Sequence, residues 1–270
     1  MAQEMQVRYV SAYSFDAKWV GEFEIVMDQI RAPGYYRSND KFSPKKWIFR
    51  WYYAEEGSIE IAGTDNRLGY NAKSKEYWIE PPENHDAMNK EEATSESEEN
   101  KMNPEQPFIN NLLTSFNESI FDGDESKPLI NRLTSDSLEE VNGFRAKKWT
   151  TTISTDETKM VIEEWMVENL LLKDTFYSYY IGSDDKDIPS ISSNDFIKDI
   201  DSTSFIDAID GDIVKAKLVV ESDNAWVKAM EFEIRELYTV PFDALSFAIP
   251  EDYERVEEPN RSWSNKNEPN

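Results

Sequence analysis

Cysteine is absent from this sequence, which excludes a disulfide framework, a thiol nucleophile and a thiolate metal site, and leaves the redox compartment unread. Histidine occurs once, His85 in the polar turn PPENHDAM, so a Ser-His-Asp relay or a His-rich zinc site has no second imidazole to draw on. His85 is expected to be a surface residue. The nine glycines are scattered and build no Gly-rich phosphate loop. No apolar run approaches the roughly 20 residues needed to cross a bilayer. The opening segment MAQEMQVRYV has neither the basic nor the apolar region of a secretory signal. Basic residues are in deficit, with 29 Lys and Arg against 54 Asp and Glu and a formal charge of −25. That charge opposes the counterion release that drives nucleic-acid binding, so no nucleic acid is expected as partner and anionic lipid head groups are disfavoured. The acidity reads as a soluble, self-repelling surface.

What is present is ample core material: 39% hydrophobic and 13% aromatic residues over 270 positions. This suits one large β domain or two small ones. The reading adopted is one domain over 1–256 with a polar tail at 257–270. The stretch NGFRAKKWTTTISTDETKMVIEEWMV reads as an antiparallel hairpin, because Arg145 to Ser154 and Lys159 to Val167 alternate with period two around the turn Thr155 to Thr158. Neither face of its second arm is cleanly polar, which predicts a strand covered on both sides, with the rest of the chain pairing with it or covering it.

Taken in order, Trp19 to Ile30 predicts a half-buried strand with Phe23, Ile25 and Met27 on one face. Arg31 to Pro44 reads as turn-rich, and Lys46 to Ala54 as a strand aligning Trp47, Phe49, Trp51 and Tyr53 on one side. That aromatic ladder suits either core packing or the lining of a ligand cavity. Ser58 to Ala62 and Glu76 to Ile79 predict short strands separated by a turn over Thr64 to Lys75. The acidic insert at 88–102, with five Glu and no aromatic residue over Met88 to Lys101, has nothing to bury and is expected to be a flexible loop. Asn103, Pro104 and Gln106 then match a helix start, and Phe108, Ile109, Leu112, Leu113, Phe116 and Ile120 recur at helical spacing, which predicts an amphipathic helix docked on a sheet. The acidic turn FDGDESK lacks the ligand spacing of a calcium loop. Further on, Phe176 to Gly182 reads as an aromatic strand. A helix begins near Asn194 with Phe196, Ile197 and Ile200 on one face, and two strands, Ile213 to Glu221 and Trp226 to Tyr238, form a closing hairpin.

Three stretches carry a resemblance. Gly143 with Phe144 opens one strand, Glu163 to Trp165 closes another, and Val240, Pro241, Phe247, Ile249, Pro250 and Tyr253 form a terminal segment. Together they resemble a bacterial envelope family of the LolA/LolB lipoprotein-carrier superfamily over most of Trp19 to Val256. The resemblance implies a mainly β, α+β fold: a strongly curved, unclosed antiparallel half-barrel with helices covering its concave face. It also implies a place in the periplasm or at the periplasmic face of the outer membrane, after removal of a signal peptide. Two features depart from the family pattern, the missing lipidated cysteine and the acidic insert.

No catalytic residue, cofactor or metal site is expected. Pairs such as Glu163 with Glu164, or Asp210 with Asp212, have the chemistry for glycoside hydrolysis, but 54 acids supply such pairs by chance. Two readings remain open. In one, a lipid or acyl chain lies in the concavity against Phe23, Ile25, Met27, Trp47, Phe49 and Trp51, beneath a helix bearing Phe108, Leu112 and Phe116. In the other, the protein is a structural or assembly component of the envelope, with a self-filled core and a protein partner.

Overall fold

The computed structural model describes residues 4–18, 21–46, 54–64, 67–80, 127–179, 191–200, 206–222, 225 and 227–257. Twelve strands form one sheet: β1 (Met5–Ala17), β2 (Gly21–Ala32), β3 (Tyr35–Pro44), β4 (Ala54–Ile61), β5 (Arg67–Asn71), β6 (Glu76–Glu80), β7 (Leu129–Val141), β8 (Phe144–Ser154), β9 (Lys159–Val167), β10 (Asp212–Glu221), β11 (Val227–Pro241) and β12 (Glu254–Arg255). Their spatial order is β12-β6-β5-β4-β3-β2-β1-β11-β10-β9-β8-β7, so the sheet is unclosed and ends at β12 and β7. All pairs are antiparallel except β12 on β6. Two meanders, β1 to β6 and β7 to β11, are joined where β1 pairs with β11 over Met5↔Pro241 to Ala17↔Val227. The result is a curved antiparallel half-barrel. Helices α1 (Leu171–Ser178) and α2 (Ser193–Ile200) supply Phe176, Phe196 and Ile197 to the core on its concave face.

The β8–β9 hairpin forms as its alternation predicts, with Ser154↔Lys159 flanking the turn and Thr155 N donating to Thr158 O at 2.8 Å. It is not the organising centre, however. It lies next to the β7 edge, and the middle of the sheet is β1, whose Val7, Tyr9, Tyr13 and Phe15 alternate inward. The segment Arg31 to Pro44 is not turn-rich. Only Pro33 and Gly34 turn, with Gly34 at φ +79, and Ala32↔Tyr35 opens a ten-residue strand. Proline followed by a glycine at positive φ suits a type II turn, so two residues suffice.

Within the segment Thr64 to Lys75, β5 occupies Arg67–Asn71, and Ala72–Lys75 makes the reversal from β5 into β6. There Asn71 Oδ1 accepts from the backbone N–H of Lys73 and Ser74, both at 3.0 Å. Gly69 is a strand residue rather than a turn residue, because Trp78 on β6 lies across it and an added Cβ would come within 2.4 Å of the indole. Phe176 belongs to α1 rather than to a strand, and residues 180–182 lie outside the described residues. Asn142 and Gly143, both at positive φ, make the two-residue β7–β8 turn that right-handed strand twist favours.

The two halves of the sheet are apolar on opposite faces. On the concave side the row Phe23, Phe15, Met230, Leu218 and Ile162 runs across β2, β1, β11, β10 and β9, and every member is at most 3% exposed. Across β3 to β6 the same face is more polar, with rows such as Ser38, Ser58 and Gly69, which ends on the buried Trp78, and Asp40, Glu56 and Asn71. The convex face of that half instead carries a second core of Ala32, Ile59, Tyr70 and Phe247. There Phe242, Phe247 and Ile249 of the C-terminal segment pack against Tyr35 and its neighbours, with Tyr35 5.1 Å from Phe242 and 5.2 Å from Phe247.

Candidate hydrophobic site on the concave face

Among the residues predicted to line a ligand space, Phe23, Ile25 and Met27 share the concave face of β2. Phe23 and Ile25 are buried, and Met27 is half-buried against the same core. Trp47, Phe49, Trp51, Phe108, Leu112 and Phe116 lie outside the described residues, as do the acidic insert and His85. The first three are joined by residues that the sequence reading passed over. Phe15 stacks on Phe23 at 4.9 Å, Phe42 reaches Phe23 at 5.5 Å, and Tyr13 meets Phe232 at 5.0 Å. The signal for them was available, since VRYVSAYSF in β1 places Val7, Tyr9, Tyr13 and Phe15 on one face at period two. Burial pushes the Tyr13 hydroxyl well above the ordinary tyrosine range, so it stays neutral.

At its β2–β3 side this apolar band meets a polar edge. Arg31 is 4% exposed and stacks over Phe176 at 4.3 Å and Tyr36 at 4.9 Å, a cation held by ring faces. Beside it Gln29 Oε1 is buried with no hydrogen-bond partner among the described residues. At the other end the same face continues from Phe15 and Phe23 to Ala17 and Gly21, which pair across β1 and β2. These two residues help line an open groove of about 540 Å³, within the range of small-molecule sites.

The far flank of the band is closed by α2. Glu164, fully buried on β9, accepts from the backbone N–H and hydroxyl of Ser193 at 2.9 and 2.5 Å, while Arg132 of β7 donates to Ser193 Oγ at 3.0 Å and to the Asp207 carbonyl. Asn194 brackets Ile209 through its N–H and carbonyl, at 3.1 and 3.0 Å. Desolvation is the largest influence on Glu164 and raises its carboxyl above the ordinary value; the Ser193 bonds and Arg132 oppose it. This Glu164, which composition offered as half of a carboxylate pair, is thus a fastening for a helix. Glu163 faces away from it and pairs with Lys148 at 2.6 Å. Among the described residues no group of three or more His, Cys, Asp or Glu is arranged to hold a metal, and no helix is long and apolar enough to cross a membrane.

No protein-family model matches this sequence, and no curated protein matches it either. Among solved structures, one of PNGF-II aligns over 95% of this chain and 31% of its own length, with 7% identity and a TM-score of 0.26. A domain named for outer-membrane lipoprotein sorting, from Vibrio parahaemolyticus, aligns over 90% of this chain and 88% of its own length, with 10% identity and a TM-score of 0.24. At these TM-scores neither likeness specifies a shared architecture.

Proposed function

We propose that this protein is a non-enzymatic binding module of the bacterial cell envelope that holds a lipid or other apolar group against the concave face of the half-barrel. The observation that carries this reading is the continuity of one face. Ala17 and Gly21, which border an open groove, lie on the same face as the buried band of Phe15, Phe23 and Ile25 and the half-buried Met27, an apolar face of the kind against which the hydrophobic effect holds an acyl chain. The envelope location comes from the resemblance of the strand-entry and terminal segments to lipoprotein carriers. Titration of the wild type with a long-chain monoacylglycerol, followed by intrinsic tryptophan fluorescence, is expected to saturate. Met27→Glu, which puts a charge on the half-buried part of the band, is expected to weaken binding at least tenfold, since desolvating a carboxylate is costly. No saturable response, together with no lipid in solvent extracts of the native protein, would reject the reading.

A second reading, an assembly protein with a protein partner, is favoured by β7. This edge strand exposes Leu129 by 73%, Leu133 by 63% and Leu138 by 53%, and Leu129 and Leu133 share the convex face. Such leucines beside an open strand edge suit strand addition by an extended partner segment. Leu129→Lys with Leu133→Lys should abolish co-purification of that partner while leaving the unfolding free energy within about 0.5 kcal/mol. Retained co-purification would remove β7 as the contact.

A further inference from the structure

The two ends of the sheet are unlike. At one, β12 has only 2 residues and offers almost no edge; at the other, β7 runs for 13 residues and no described strand pairs with its outer side. A long bare edge with exposed aliphatic side chains is the kind that recruits another strand. The pairing of β7 with β8 slips between Thr134 and Leu138, and there the Ser135 hydroxyl donates to the Ser137 carbonyl at 2.7 Å, so the regular part of the edge is Leu129 to Thr134. On its convex face this part shows Leu129, Asn131 and Leu133, all exposed, with Thr152 of β8 and Val161 of β9 continuing the same face behind Asn131. Its one charged residue is Arg132, whose guanidinium is turned to Thr151, Ser193 and the Asp207 carbonyl. Just outside it stand two exposed charges that form no ion pair with a described residue, Lys127 before the strand and Asp136 in the bulge.

We propose that β7 is the contact of a symmetric homodimer, in which a second copy of this chain adds its own β7 antiparallel to the first. The proposal rests on the reading of β7 as an assembly edge and names the occupant which that reading leaves open. The edge is complementary to itself. A two-fold axis at Asn131 sets Leu129 opposite Leu133 of the second copy, and Leu133 opposite Leu129 of the second copy, which joins four exposed leucines on one face. Between them Arg132 lies opposite Ile130 of the second copy, so no like charges meet. Two residues further out, the same register brings Lys127 to Ser135 and Asp136 of the second copy, within reach of a lysine side chain, and the symmetry repeats this at the other end. The formal charge of −25 on each copy acts against association. At ~0.15 M ionic strength it is screened beyond about 8 Å, whereas the leucine and Lys–Asp contacts are direct. A strand pair of this length buries less than a standard interface, so the dimer is expected to be weak and concentration-dependent.

The test is sedimentation equilibrium of the full chain between ~1 and ~100 µM, a range that spans weak association. The wild type is expected to pass from monomer to dimer. Leu133→Asp, which places carboxylates in the leucine cluster, should keep the protein monomeric throughout. Lys127→Asp and Asp136→Lys should each weaken the dimer about tenfold. An equimolar mixture of these two variants should recover it, because only the mixed dimer sets opposite charges against each other at both ends. Melting temperatures taken at the lowest concentration check that each variant is folded. A wild type that stays monomeric overturns the homodimer and leaves the assembly reading, which has its own co-purification test, standing. A dimer that survives Leu133→Asp overturns β7 as its contact. Charge variants that leave the dimer unchanged, or a mixture no tighter than either variant alone, overturn the two-fold pairing at Asn131 and with it the proposal.

Discussion

At the scale of single residues, two glycines and one glutamate show how much of the sheet depends on close approach. Gly57 and Gly69 sit opposite Tyr70 and Trp78 on adjacent strands. A Cβ at Gly57 would meet the Ser38 backbone carbonyl at 2.2 Å as well as the Tyr70 ring, whereas at Gly69 its nearest neighbours would be atoms of the Trp78 side chain, from 2.4 Å. A side chain can turn away and a paired strand cannot. Gly57→Ala should therefore destabilise by about 3 kcal/mol, and Gly69→Ala by about 1 kcal/mol, the two ends of the overpacking range, as measured by urea unfolding. Glu164 acts through hydrogen bonding. Its loss in Glu164→Ala leaves the Ser193 N–H and hydroxyl without their buried acceptor, and Arg132 without a nearby counter-charge, and should cost about 3 kcal/mol. Because burial raises its pKa above 4.5, the folded state binds this proton more tightly than the unfolded one. Its contribution is present at low pH and is lost as pH rises through the raised value. Glu164→Gln, which does not titrate, should gain stability relative to the wild type as pH rises from about 4.5. A constant difference across that range would show that the Glu164 pKa is the same in the folded and unfolded states.

At the scale of elements, helix α1 depends on a single buried anchor. Helix α1 is only eight residues long, too short to be stable alone, and its one fully buried residue is Phe176, 5.4 Å from Tyr9 and beneath the Arg31 guanidinium. Its start is fixed by Asp212, which accepts from the Leu170 N–H at 2.9 Å and pairs with Lys173 at 2.7 Å. Phe176→Ala should cost about 3–5 kcal/mol, the usual range for a buried phenylalanine. A loss below about 1 kcal/mol in chemical denaturation would mean that α1 is not a structural part of the concave core. The reading of a strand beginning at Phe176 failed over Phe176 to Ser178 for a definable reason. A run of aromatics satisfies both period two and period 3.6 over so short a window, and only the docking of Phe176 on Tyr9 decides between them.

At the scale of the whole molecule, the sheet is an open ribbon of two meanders with a core on each face, and its cohesion rests on the β1–β11 junction. Arg8 illustrates the binding there. It pairs with Asp28 at 2.7 Å and donates to the Tyr238 hydroxyl at 2.9 Å, tying β1 to both neighbouring strands. A formal charge of −25 works against compactness. The melting temperature should therefore rise between low salt and ~0.5 M sodium chloride, as screening removes self-repulsion faster than it weakens the few exposed ion pairs. A fall over that range would mean that surface pairs such as Lys75–Asp252 outweigh the excess acid.

Local periodicity determined much of this architecture before any long-range contact was known. The β8–β9 hairpin, the β10–β11 hairpin, α2 and the inward face of β2 follow from alternation and capping, because each is set by neighbours within about a dozen residues. The absence of cysteine and the shortage of histidine likewise bounded the chemistry from composition alone. What only the tertiary structure decided is which strands are neighbours and which face each half presents to the interior. That Met5–Ala17 is the middle of the sheet depends on pairing with residues more than 200 positions away. That Gly69 is a strand residue depends on Trp78 lying over it. The open groove at Ala17 and Gly21 has no sequence signature, since Lys18, Lys46 and Lys228, which also line it, become neighbours only when the chain closes β1 against both β2 and β11. A period-two pattern specifies that a strand has two unlike faces; which of them becomes concave is set by the curvature of the completed sheet and by the helices that cover it.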